Sequence, residues 1–167
     1  MKALCNLGCK LISVLNWFGT FLPQLGLRFL LAKEFWDSGV EKYNGVNWFA
    51  DIQDKFPFPF NQLPVNFSWG LSTWTELIGA VLLVFGLATR FATVSLIIVT
   101  IVAIVSVHWP DQWHGLSELL QGYTISDHGH GNYKLPLIYL IMFMPLLLQG
   151  PGRASLDHLI AKRFCRS

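Results

Sequence analysis

The chain has 167 residues, 53% of them hydrophobic and 13% charged, with a formal net charge of +2 and a mean hydropathy of +0.45. Soluble domains carry about 25% charged residues. Half that share leaves too little polar surface to coat a water-soluble globule, and the gathering of apolar residues into long blocks excludes disorder. The charge balance gives no footing for nucleic acid. The partner it implies is a lipid bilayer, met by one integral membrane domain over residues 1–167.

In chain order, Lys2 and Lys10 precede an apolar run at 11–15, as in a signal sequence, but no small-x-small site follows Gly19. The N-terminus is expected to be retained, with 11–22 interfacial or entering the membrane. Pro23 then opens a first span at about 23–40, and further apolar blocks give spans at about 69–88, 91–109 and 134–149. The last is short, roughly 23 Å at 1.5 Å per residue, and suits a thinned bilayer. Only Thr89 and Arg90 separate the second and third spans, which makes them an antiparallel hairpin. After the fourth span, Gly150 and Gly152 stop the helix, Pro151 forbids its continuation and Arg153 stands where a helix C-terminus favours a cation. Ser155 is placed to cap a last amphipathic helix over 156–164.

Two long connections remain, 41–68 and 110–134. Both are aromatic: Trp48, Phe49, Phe56, Phe58, Phe60, Phe67 and Trp69 belong to the first, and Trp109, Trp113 and Tyr123 to the second. Such rings favour the membrane interface. Residues 46–56 read as a short amphipathic helix on the surface, ended by Pro57 and Pro59. The expected fold is therefore an all-α integral membrane four-helix bundle, with an amphipathic C-terminal helix and two aromatic extracytoplasmic loops.

Seven Lys and Arg residues (Lys2, Lys10, Arg90, Arg153, Lys162, Arg163, Arg166) lie on the side of the termini and the hairpin. Three (Lys42, Lys55, Lys134) lie in the long loops. The positive-inside rule then puts both termini in the cytoplasm of a bacterial inner membrane protein. This also places Cys5, Cys9 and Cys165 on the reducing side. Three cysteines near the termini make no disulfide framework, and two thiols one helical turn apart lack the remaining ligands of a zinc site.

Arg28, Lys33 and Glu34 in the first span and Glu76 in the second form an intramembrane charge cluster, which by default marks function. A structural alternative stands beside it: Glu76 bridges to Arg28 or Lys33 and clamps the first two spans together. Gly26, Gly39, Gly70, Gly79 and Gly86 favour close helix packing. His108 and His114, with Asp127, His128 and His130 in the second loop, offer donors for a divalent metal such as copper. The competing reading is a solvated turn around Gly129 and Gly131. No nucleophile elbow, P-loop, dinucleotide fingerprint, zincin or CxxC pattern is present.

Three strings at their spacings carry a resemblance: Leu27-Arg28-Phe29-Leu30 with Phe35, Gly39 and Lys42; Glu76-Leu77-Ile78-Gly79-Ala80 leading to Gly86-Leu87-Ala88-Thr89-Arg90; and Gly150-Pro151-Gly152-Arg153-Ala154-Ser155-Leu156-Asp157. Over roughly residues 25–160 the chain resembles the DoxX family of small four-helix membrane proteins. The last string is the most specific and draws attention to Arg90, Arg153 and Asp157 as a cytoplasmic motif. The resemblance implies an accessory or scaffold subunit in redox stress or metal-binding peptide handling, or else a quinone-linked oxidoreductase subunit. The extended loops and loop histidines look closest to an HvfX-like subgroup associated with copper-binding peptide maturation. Quinone and copper are the cofactors so implied, and membrane or periplasmic proteins and further copies of the chain the partners.

Overall fold

The computed structural model describes residues 2–110, 114–121 and 132–164, without the side chains of 2–5, 118, 119 and 121. The described part is all helix and turn: α1 (Lys2–Gly19), α2 (Leu22–Asn44), α3 (Val65–Phe85), α4 (Thr89–Ala103), α5 (Leu116–Gln121), α6 (Lys134–Gln149) and α7 (Leu156–Phe164). A π-helical turn, Ile104–His108, prolongs α4. Two of these segments are long and apolar enough to cross a membrane, Val65–Phe85 and Thr89–His108; α6 is a shorter apolar helix.

α2 packs against α3 and α6, and α4 closes the ring against the same two. Leu31, Ala32 and Phe35 of α2, Ala80 and Leu83 of α3, Ala92 and Leu96 of α4, and Phe143 and Leu146 of α6 meet at its centre. The outward faces are apolar too: Ile78 and Phe85, Phe91 and Ile101, Ile141 and Leu148 are all exposed. Apolar residues inside and outside alike are the signature of helices whose solvent is lipid.

Where the chain departs from expectation, local packing explains it. Gly39 packs closely, as expected of it: a Cβ there would lie 2.8 Å from the Leu77 side chain. The helix does not end beside it, and α2 runs on to Asn44. That extra turn brings Lys42 into the helix. Gly79 plays the same part against Leu96 of α4, while Gly26 and Gly70 face open space. Residues 46–56 form two 3₁₀ turns, Phe49–Asp51 and Gln53–Lys55, rather than a surface helix. Gln53 Nε2 donates to the Leu63 carbonyl at 2.6 Å, and Phe49 sits edge-on to Phe56 and Trp69, each centroid 5.0 Å away. The segment is folded into the protein by its aromatic rings. At the N-terminus, α1 is a separate helix, exposed along its described length, with Pro23 in the first turn of α2 where its missing N–H costs nothing.

Candidate functional site

The four charges grouped by sequence do not gather. Arg28 and Lys42 both belong to α2 but lie about 21 Å apart along it, at opposite ends of the helix ring. Lys33 points outward and pairs with Asp37 one turn on. Glu34 accepts a hydrogen bond from the Tyr139 hydroxyl of α6 at 2.7 Å. The expected bridge from Glu76 to Arg28 or Lys33 is absent. Glu76 pairs with Lys42, whose Nζ donates to its two carboxylate oxygens at 2.9 and 2.8 Å and to Ser38 Oγ at 2.7 Å. Side-chain exposure is 14% for Lys42 and 4% for Glu76. The α2–α3 clamp exists, with a different cation.

Arg28 is buried at 1% exposure and holds backbone instead. Its Nε and Nη2 take the Leu83 and Val84 carbonyls at the end of α3 at 2.7 and 2.6 Å. Nη1 takes the Ala154 and Pro151 carbonyls at 2.7 and 3.2 Å. A guanidinium is suited to this work: its donors lie in one plane and fan outward, and the exposed end of a helix dipole offsets its charge. Asp157 completes the knot. Its two oxygens accept from the N–H groups of Ala88 and Thr89, both at 2.8 Å, and its own N–H donates to the Gly86 carbonyl at 2.9 Å. α4 starts on Ala88, which has no side-chain oxygen to cap it, so the cap comes from α7. The cation on the α6 C-terminus is Arg90, which donates to the Leu147 and Leu148 carbonyls at 3.1 and 3.3 Å. Arg153, expected there, is exposed. Ser155 caps α7 as expected, accepting from the His158 N–H at 3.1 Å.

At the other end of the ring lies a cavity of about 570 Å³. Its walls are the C-terminal half of α2, the start of α3, the end of α4 with its π-helical turn, and the start of α6. Trp48, Phe49, Phe56 and Phe60 of the 45–64 connection cover it. The lining is mostly apolar; its polar groups include the Lys42–Glu76 pair, Ser38, Ser68, Ser72, Glu41 and the Glu34–Tyr139 pair, while the Thr100 and Ser106 hydroxyls donate to carbonyls of their own helix. Ser68 is 6% exposed and its hydroxyl has no hydrogen-bond partner. Most binding pockets are of this kind: concave, apolar, roughly 300–1,000 Å³, with a few fixed polar groups. Sequence reasoning missed Ser38, Ser68 and Tyr139. The one available signal was the four-residue spacing of Ser38 and Lys42, and the expected helix end hid it.

His108 also lines the cavity and hydrogen-bonds Asn132 through Nδ1. His114 is exposed. Asp127, His128 and His130 lie outside the described residues. Among the described residues no three His, Cys, Asp or Glu side chains are grouped as metal ligands.

The DoxX family profile matches residues 24–109. The chain belongs to the DoxX family. An uncharacterised protein of Haemophilus influenzae is 46% identical over 154 residues, covering 92% of this chain and 91% of its own. No solved structure matches. The DoxX match takes in Arg28, Glu76, Arg90 and three of the four cavity walls. It stops at Trp109, so the 150–157 string that looked most specific lies beyond it. Neither comparison points to the HvfX-like subgroup or to copper-peptide maturation.

Proposed function

We propose that this DoxX protein is a four-span inner-membrane bundle with both termini cytoplasmic, and that it serves redox handling by holding a quinone-class molecule in the cavity under the aromatic connection. The observation that carries the reading is the cavity itself. It is ligand-sized, its walls are apolar, and it contains a buried serine hydroxyl without a partner.

The residues suit a quinone head. A flat ring with two carbonyl oxygens needs apolar walls and one or two donors. The three N–H bonds of Lys42 are already directed to Glu76 and Ser38, whereas the Ser68 hydroxyl is buried without a partner and is a donor free for a ligand carbonyl. The Tyr139 hydroxyl donates its proton to a hydrogen bond with Glu34, both residues lining the cavity. When bound, a quinone supplies two-electron, two-proton acceptor chemistry. The chain's own part is to seat the head, exclude water with Phe49 and Phe56, and keep a proton on the Tyr139 hydroxyl, oriented by Glu34. An accessory role beside a partner that delivers electrons fits this division. The purely scaffolding reading draws on the other end, where Arg28, Arg90 and Asp157 serve backbone. Copper has no comparable observation behind it and forms no part of the proposal.

The test is a titration of purified protein with decylubiquinone, read by quenching of tryptophan fluorescence from Trp48 and Trp69 at the cavity. Saturable quenching is expected in the wild type and its loss in Ser72→Phe, which fills the cavity, at unchanged thermal stability. Equal quenching in both proteins contradicts the reading.

A further inference from the structure

At the end of the ring opposite the cavity, the start of α4, the end of α6, residues 150–153 and α7 enclose a second cleft of about 530 Å³. Its charged and titratable residues are Arg90, Arg153, His158 and Asp157. The carboxylate is taken by the N–H groups of Ala88 and Thr89, which leaves the cations in excess. Arg90 spends Nε and Nη2 on α6 carbonyls and keeps Nη1. Arg153 makes no hydrogen bond or ion pair with any described residue.

Two buried polar atoms in the wall of this cleft have no partner, Gln24 Oε1 and Thr89 Oγ1. Gln24 is 8% exposed and Thr89 fully buried. The Gln24 amide nitrogen donates to Gln149 Oε1 at 2.9 Å, so its oxygen is a bare acceptor in a place that already holds guanidinium groups. Buried groups of this kind are rarely left unmet. Phe91, 72% exposed, lines the cleft, and Leu148, 70% exposed, precedes the lining residue Gln149 on α6; both stand on helices whose outer faces are apolar. A basic recess beside an apolar rim at the end of membrane helices is the setting in which lipid head groups bind.

We propose that this cleft binds a phospholipid head group that carries its own hydrogen-bond donor. The phosphodiester meets Arg153 and the free edge of Arg90, as planar guanidinium groups meet phosphate. A glycerol hydroxyl or an ammonium on the head group donates to Gln24 Oε1, and the acyl chains run along Phe91 and Leu148. Phosphatidylglycerol and phosphatidylethanolamine have such a donor. Phosphatidylcholine presents the same phosphate beside a cation with no N–H or O–H, and leaves Gln24 unmet.

Native mass spectrometry of the detergent-solubilised full chain tests this with phosphatidylglycerol, phosphatidylethanolamine and phosphatidylcholine of identical acyl chains, and with water-soluble glycerophosphoglycerol. The two donor-bearing lipids are expected to be retained about tenfold or more over phosphatidylcholine. Arg153→Ala, a surface change that leaves the fold alone, is expected to lower their retention by a similar factor, and Gln24→Leu to erase the preference over phosphatidylcholine. Glycerophosphoglycerol binding as tightly as the lipid supports the head-group chemistry and assigns the site to a soluble phosphodiester. Equal retention of phosphatidylglycerol and phosphatidylcholine by the wild type overturns the proposal, as does undiminished retention by Arg153→Ala.

Discussion

Lys42 and Glu76 show how one buried pair divides between stability and chemistry. Both side chains are nearly out of contact with solvent, so removing either partner strands a charge. Lys42→Met is expected to destabilise the protein by about 3–5 kcal/mol, while Lys42→Met/Glu76→Leu returns close to wild type, because two apolar side chains fill the gap without an unpaired charge. Chemical unfolding in detergent measures both; a double variant as unstable as the single would contradict the pairing. The sequence left Glu76 either as a functional charge or as one half of a clamp, and did not single out its cation. Arg28 was the obvious choice on charge, yet its partners are four backbone carbonyls, and a carbonyl has no letter in a sequence. Lys42 stood just past the expected span of 23–40 and was counted with the long loop, so it was not paired with Glu76.

Among the elements, the α3–α4 hairpin depends on α7. Gly86 turns the chain at φ 63°, and a Cβ there would lie 2.6 Å from Ser155 Cβ and 2.7 Å from Arg28 Cζ. The short hairpin therefore serves as the seat on which Arg28 and the 150–157 segment close. Asp157 supplies the missing cap of α4 from 68 residues away. Asp157→Ala is expected to cost about 1–2 kcal/mol, the usual loss of a helix cap, and Asp157→Asn less, since its amide oxygen still accepts one N–H. Thermal unfolding of the two variants checks the order; no loss in Asp157→Ala would show that α4 needs no cap. The ends of α6 and α7 were legible, because Gly150, Pro151, Gly152 and Ser155 are strong punctuation. The 45–64 connection was not, because its shape comes from ring-on-ring contacts between distant residues.

For the molecule as a whole, the two ends of the ring carry different work. One is a knot of helix caps built from Arg28, Arg90 and Asp157. The other is a cavity closed by aromatic rings. α2 carries six Lys, Arg, Asp and Glu residues within Leu22–Asn44, and its packing against α3 and α6 supports the expected span there. The proposed four-span topology, with its Lys/Arg excess at the termini, puts α1 on the cytoplasmic side. Cys9 is exposed on α1, so in a Cys5→Ser/Cys165→Ser background a membrane-impermeant maleimide should label intact spheroplasts only after the inner membrane is opened. Labelling without opening would reverse the orientation.

The claim on which the account turns is that the cavity seats a quinone-class ring, and photocrosslinking addresses it most directly. A quinone analogue bearing a diazirine on its ring is bound to the purified protein, irradiated, and its adducts located by peptide mass spectrometry. Adducts are expected within residues 48–69 and 98–108, suppressed by excess decylubiquinone and absent in Ser72→Phe. Adducts confined to the outward faces of α3 and α6, undiminished by competitor, would contradict it.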